Sequence, residues 1–283
     1  MTATEVRRPD PGQKVRSPAV AGTFYPDNER ELRQTVKRLI PPVAAPHRAV
    51  PAVMVPHAGL RFSGRVAAAV YARVTVPDVV LILAPRHDPQ GADWAIAPHE
   101  TWALPGMSIA SDLSLARDLV DAIPDLELDA VAHQREHSIE VQLPLLAHIA
   151  PHVRVVGLTV GAGDLGRCQE LAAGLADVLR ARRAARPMMV ISTDLNHYAT
   201  DVENRRLDAV ALAAVERLDP VDVYRTVTER RISMCGLLPT VVGMETLRRL
   251  DLLHEVERVG YATSADATGD TSRVVGYAGL LFS

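Results

Sequence analysis

Three observations predict an α/β fold with a central, mostly parallel or mixed sheet and helices on both faces. Short apolar runs alternate with helical patterns along the chain, the order expected when strands are covered on both sides. The 283 residues are 48% hydrophobic but only 4% aromatic, so the interior is built from Val, Leu, Ile and Ala, which suits sheet and helix layers. No repeat, low-complexity stretch or linker divides the chain, and its length lies within the range of one α/β core. Residues 1–16, largely polar and broken by Pro9 and Pro11, read as a flexible tail. Residues 17–283 are expected to form one domain.

The apolar runs "VPAVMVP", "VVLILAP", "VRVVGLTV", "PMMVIST", "LHEVERVGYAT" and "VVGYAGLLF" are the expected strands. Helices are expected near 29–40, 64–74, 111–122, 140–149, 164–183, 203–217 and 236–249. The helix after Asp164 shows the reasoning: Leu165, Cys168, Leu171, Leu175, Val178 and Leu179 recur at three- and four-residue spacing on one face. Cys168 therefore points into the core. The arginines at the end of this helix complement its dipole and need no phosphate partner.

Composition removes several function classes. A formal net charge of -3 provides no pull toward nucleic acid or anionic lipid, so neither is expected as a partner. The first residues lack the apolar segment of a signal peptide, and no stretch approaches the ~18 apolar residues of a membrane span. Cys168 and Cys235 are the only cysteines and lack CxxC spacing, which excludes a zinc finger and a disulfide framework. A reducing cytoplasm is the expected location.

In open α/β sheets ligands bind beyond the carboxyl ends of the strands. That rule converts strand positions into site residues. His57 follows "VMVP", Arg86 and His87 follow "LILAP", and Asp194 and His197 follow "VIST". Three strands thus each deliver a histidine to one edge, whereas His47, His99, His133, His148, His152 and His254 lie in other contexts and read as structural. "REHSIEVQLP" places Glu136, His137 and Glu140 ahead of a helix that Pro144 starts; the carboxylates suit either a pocket or the positive helix end. Cys235 directly precedes a helix start, where the dipole lowers a thiol's pKa and favours the thiolate that binds metal or attacks carbon.

Taken together, "AVAGTFYP", "VPHAGLRFSG", "LAPRHDP", "EHSIEVQLP", "STDLNHY", "MCGLLPT" and "YATSADATGDTSRVVGYA" resemble the Memo family, known in bacteria and archaea as AmmeMemoRadiSam system protein B. The resemblance runs from about residue 16 to 283. It implies a fold similar to that of class III extradiol dioxygenases. It also implies that His57, His87 and Cys235 match the family's metal ligands, with Asp194 and His197 in the adjacent pocket. Iron and copper are the metals it implies, and a radical-SAM protein is the partner its name implies. Two positions depart from the family's usual pattern: Arg86 replaces a small polar residue, and Asp88 stands where histidine or threonine is common. A guanidinium there would favour an anionic substrate or pair with Asp88.

Three functional readings follow. In the first, His57, His87 and Cys235 hold a divalent metal, iron or copper with zinc competitive because thiolate is soft. The enzyme is then a dioxygenase-like oxidoreductase acting on a small molecule, with His197 and Asp194 as catalytic groups and Arg86, Glu136, His137 and Glu140 lining the substrate pocket. Glu136, Glu140 or Asp194 could instead supply a carboxylate ligand, or Asp194 could orient a ligating histidine. The second reading is a metal-free hydrolase in which His197 activates Cys235 and Asp194 orients the imidazole. The third is a metal- or peptide-binding module without turnover.

Overall fold

The computed structural model describes residues 14–42 and 47–283. The structure begins with β1 (Val15–Arg16), α1 (Glu29–Leu39), β2 (Ala52–Val55), α2 (Leu60–Tyr71) and β3 (Val79–Pro85). There follow β4 (Trp94–Ile96), β5 (Thr101–Leu104), β6 (Met107–Ser111), α3 (Leu113–Ala122), β7 (Leu126–Leu128) and α4 (Val131–Gln134). The middle of the chain forms α5 (Leu143–Ile149), β8 (Arg154–Val160), α6 (Leu165–Ala181), β9 (Met188–Ser192) and β10 (His197–Ala199). It ends with α7 (Asp201–Glu216), α8 (Pro220–Glu229), α9 (Leu237–Arg249), β11 (Val256–Thr263), α10 (Ala265–Thr268) and β12 (Val274–Phe282).

Among the described residues all twelve strands belong to one mixed sheet, whose main path runs β1-β5-β6-β8-β3-β9-β2-β12-β10. Its centre, β8-β3-β9-β2, is parallel throughout, and antiparallel strands flank it on both sides. Alternate residues of the central strands enter opposite cores. Met54, Leu81, Leu83 and Ile191 face α3, α6, α7, α8 and α9, while Val53, Ile82, Ala84 and Val190 face α1, α2 and α5. That two-sided burial explains why the strands read as continuous apolar runs. Cys168 lies in the first of these cores, as its spacing predicts.

Where the elements differ from expectation, a tertiary contact is responsible. Helix α2 begins at Leu60 rather than 64, because the Leu60 amide, which has no partner within the helix, donates to the Phe24 carbonyl at 2.8 Å. The segment 140–149 opens as a 3-10 turn over Glu140–Gln142 and becomes α-helical at Leu143, with Pro144 in the first turn. Helix α8 was not anticipated, although Asp219 caps it by accepting from the Val221 amide at 2.9 Å and Pro220 sits at its start. Among the described residues, no helix is long and apolar enough to cross a membrane.

The tail expected over residues 1–16 meets the sheet at its end, since Val15 and Arg16 pair with Thr101 and Trp102; residues 1–13 lie outside the described residues. Arg16 is buried. Its guanidinium forms an ion pair with Glu140 and donates to the carbonyls of His133 (2.9 Å) and Glu136 (2.6 Å). Glu140 also accepts from the amides of Ala19 (2.8 Å) and Val20 (3.1 Å) and from the Tyr25 hydroxyl. Glu140 therefore does not line the substrate pocket: it is a fully engaged internal charge that binds the N-terminal segment to the loop ahead of α5. Replacing it with Gln leaves Arg16 without a counter-charge, and Glu140→Gln is expected to lose about 3–5 kcal/mol of unfolding free energy in denaturant titration. The double variant Arg16→Met, Glu140→Gln should lose less than the two single losses added.

His133 lies beside this pair, fully buried, with Nε2–H donating to the Ala95 carbonyl at 3.1 Å and Nδ1 unpartnered. Burial lowers its pKa from 6.5 to about 4, and the Arg16 charge adds to the effect. The folded state then binds fewer protons than the unfolded state below pH 6.5, so the stability contribution is complete above that value and is lost as the pH falls toward 4. Measured against His133→Gln, which keeps the donor, the wild type should lose about 3 kcal/mol of relative stability between pH 7 and 4.

Candidate metal centre

Strands β3, β9 and β2 are adjacent and parallel, with Val190 in register with both Ile82 and Val53. Their carboxyl ends consequently open on one edge. His57 lies two residues beyond β2, His87 two beyond β3 and Asp194 two beyond β9. The rings of His57 and His87 meet edge-on with centroids 5.3 Å apart. Cys235 reaches the same point from the turn before α9, with Sγ 3.3 Å from His57 Nε2. Gly236 permits that approach: its amide bonds to Thr193 Oγ1 at 3.0 Å, and any Cβ there would collide with the Thr193 side chain. His57, His87 and Cys235 each present one donor atom, all within 4.8 Å of one another.

Buried partners hold both imidazoles. Ser192 Oγ donates its one proton to the Ser138 carbonyl (2.7 Å) and accepts from Gln142 Nε2 (2.9 Å). His57 Nδ1, 2.9 Å from the same oxygen, must then be the protonated nitrogen. Gln142 is itself fixed, donating to the Pro56 carbonyl at 2.9 Å and accepting from the Tyr71 hydroxyl at 3.1 Å. The free lone pair of His57 is therefore on Nε2, the nitrogen nearest Cys235. Burial, followed by the neighbouring His137 and His87, keeps this ring neutral far below its usual range.

Glu136 performs the same task for His87. Its carboxylate accepts from His87 Nδ1 (3.0 Å), from the His87 amide (2.5 Å), and from the amides of His137 and Ser138 (2.8 Å each). Burial opposes its ionisation, yet these donors and the two imidazoles hold its pKa far below the usual carboxylate range. His137 stacks on His87 at 4.4 Å, and burial lowers its pKa to about 4. With His87 and Glu136 it forms a second grouping able to hold a metal, but there the Glu136 carboxylate is already engaged by His87 Nδ1 and by the amides of His87, His137 and Ser138. The first grouping contains no carboxylate so engaged, and in it the free Nε2 of His57 faces Cys235.

Asp194 accepts from the His57 and Ala58 amides at 2.8 and 3.3 Å, and its own amide donates to Cys235 Sγ at 3.3 Å. Burial raises its pKa to about 6. His197 Nδ1 donates to the Ser233 carbonyl at 2.7 Å, so Nε2 is its available nitrogen. Asp194 and His197 both line a cavity of about 560 Å³ that also receives His57, His87 and His137.

Several expectations require correction. Arg86 does not line the cavity: its guanidinium lies against Gly161 and donates to the Gln90 carbonyl at 2.9 Å and to Gly91, closing the loop after β3. Asp88 pairs instead with Arg135 at 2.7 Å. The helix start does not make Cys235 acidic, because burial and the adjacent Asp194 push its thiol pKa up. The imidazole on Cys235 is His57, and Asp194 orients backbone amides, so the Cys235–His197–Asp194 relay of a hydrolase is not formed. Sequence reasoning missed the cavity's outer wall, formed by Phe24, Phe62, Tyr198, Arg273 and Tyr277. The available signal was that all five lie within the motifs quoted above, outside the strand-end rule.

The sequence pattern of the Memo family, described as Memo-like protein, matches residues 16–281. A MEMO1 family protein of Aquifex aeolicus is 34% identical over 270 residues, covering 95% of this chain and 99% of its own. Another from Methanopyrus kandleri is 35% identical over 281 residues, covering 94% and 98%. An uncharacterized protein from Escherichia coli K12, known from its crystal structure, shares the fold with a TM-score of 0.57 at 13% identity, over 83% of this chain and all of that one.

The hydrogen-bond chain through Ser192 fixes one tautomer. Nitrogen-15 spectra of metal-free protein should show His57 protonated at Nδ1 and neutral at pH 5, while Ser192→Ala should give a mixture of the two neutral forms; a pure Nε2–H signal in the wild type would contradict the assignment.

Proposed function

The chain belongs to the Memo family, and from that premise we propose that it is a metal-dependent redox enzyme of dioxygenase-like type, holding a divalent metal on His57, His87 and Cys235 and acting on a small molecule in the adjoining cavity. One observation carries this reading: two imidazoles, each with its Nδ1 held by a buried partner, and one thiol each present a donor atom, all within 4.8 Å of one another. Such anchoring of the far nitrogen is the support that metal-ligating histidines need. Two imidazoles and a sulfur form a softer set than two imidazoles and a carboxylate, which makes copper competitive with iron, and zinc with both.

When bound, iron or copper would supply electron transfer and open coordination positions for O₂ and substrate. The chain's own groups do the rest. Cys235 must surrender its proton as the metal binds, so affinity should rise with pH. His197, tied through Nδ1, has Nε2 for moving a proton to or from a molecule in the cavity. Asp194 holds the His57 backbone in place.

Metal analysis of anaerobically prepared protein tests the proposal. The wild type should carry stoichiometric metal and His57→Ala, His87→Ala almost none; equal metal in both overturns it. Glu136→Gln and Ser192→Ala should each weaken metal binding about 10- to 100-fold in chelator competition, because each frees the far side of one ligand.

A further inference from the structure

The chain has three phenylalanines and six tyrosines. Two of the former, Phe24 and Phe62, and two of the latter, Tyr198 and Tyr277, face the one cavity that contains His57 and His87. For so aromatic-poor a protein this is a pronounced concentration of flat apolar surface. At the same wall stands Arg273, whose guanidinium lies 4.4 Å from the centre of the Tyr198 ring. Among the described residues it makes no ion pair or hydrogen bond. The nearby carboxylate of Asp270 is already engaged by the Ser272 amide at 2.9 Å and the Ser272 hydroxyl at 2.6 Å.

The residue beneath the guanidinium is held at some expense. Tyr198 has φ +69° and remains 63% exposed, a left-handed backbone that bulky side chains adopt only where the surroundings impose it. Neither burial nor a helix cap explains it. Tyr198 sits where the pairing of β10 with β12 shifts register, between His197 and Ala199, and with the His197 amide and Nδ1 both fixed to Ser233 the irregular strand presents the next ring to the cavity. Stacking leaves the N–H edge of an arginine free to donate to a carboxylate or phosphate while its face stays on the ring.

Resting on the reading of this cavity as a substrate site, we propose that its substrate has a planar apolar body and an outward-facing anionic group, carboxylate or phosphate, and that Arg273, stacked on Tyr198, selects that anion. The planar body lies among Phe24, Phe62 and Tyr277, its inner end toward His57 and His87. The sequence offered Arg86 either for an anionic substrate or for pairing with Asp88; in the folded protein Arg86 is engaged by its own loop, and Arg273 lines the cavity.

The test uses benzoate, phenyl phosphate and neutral benzamide as probes, titrated by calorimetry into chelator-treated and metal-loaded protein. One of the two anions should bind the wild type roughly tenfold or more tightly than benzamide, a difference of about 1.4 kcal/mol. That preference should vanish in Arg273→Gln and persist in part in Arg273→Lys, with the preferred anion distinguishing carboxylate from phosphate. Equal binding of anion and amide, a preference that survives Arg273→Gln, or no saturable anion binding at millimolar concentration overturns the inference. Failure of the metal assignment is read separately from metal content, and the chelator-treated titration reports on Arg273 in either case.

Discussion

Parallel pairing of β3, β9 and β2 sets the conditions under which the site exists. Because the three strands run the same way in fixed register, the chain must leave all three at one edge, and the residues just past each end converge without any loop having to fold across the sheet. Convergence brings a difficulty with it. The backbone and side-chain polar groups at that edge lie beneath the loops, away from water, and each has to find a partner. Ser192, the last residue of β9, resolves three of them at once by joining the Ser138 carbonyl, Gln142 and His57. The ring orientation at His57 is thus a consequence of satisfying the end of a strand.

The charge balance follows from the same burial. Three imidazoles, of His57, His87 and His137, crowd together, with centroids 4.4 to 5.5 Å apart. They coexist because burial keeps His57 and His137 neutral and because Glu136 supplies one firmly ionised carboxylate beneath them. Two imidazoles held neutral and an un-ionised thiol beside an ionised carboxylate leave the cluster short of positive charge. That is the electrostatic setting in which a divalent cation is welcome.

How much of this was legible depended on whether a residue's role was local. His57, His87, Asp194 and Cys235 could be found because a strand end or helix start places them, and those boundaries are written in nearby apolar and proline patterns. The mixed sheet and its two helical layers were legible for the same reason. Arg16, Gln142, Ser192 and Arg273 were not, since each acquires its function from a residue far away in the chain. The Cys235 thiol shows the complementary failure: its helix start was correctly placed, but the dipole's influence is small beside removal of the sulfur from water.

Glu136 and Glu140 make the distinction sharpest. They are the same residue type, four positions apart in one motif, and both are almost wholly buried. Adjacency in sequence would assign them one role. The intervening turn separates them: Glu136 turns toward the imidazoles beyond β3, and Glu140 toward the guanidinium of Arg16, the last residue of β1. The backbone couples the two, because Arg16 also donates to the Glu136 carbonyl at 2.6 Å. The internal ion pair thereby fixes the main chain from which the His87 support projects. A carboxylate that never enters the cavity still helps decide where the His87 ring points, and the motif containing both is the unit that joins the N-terminal segment to the candidate metal centre.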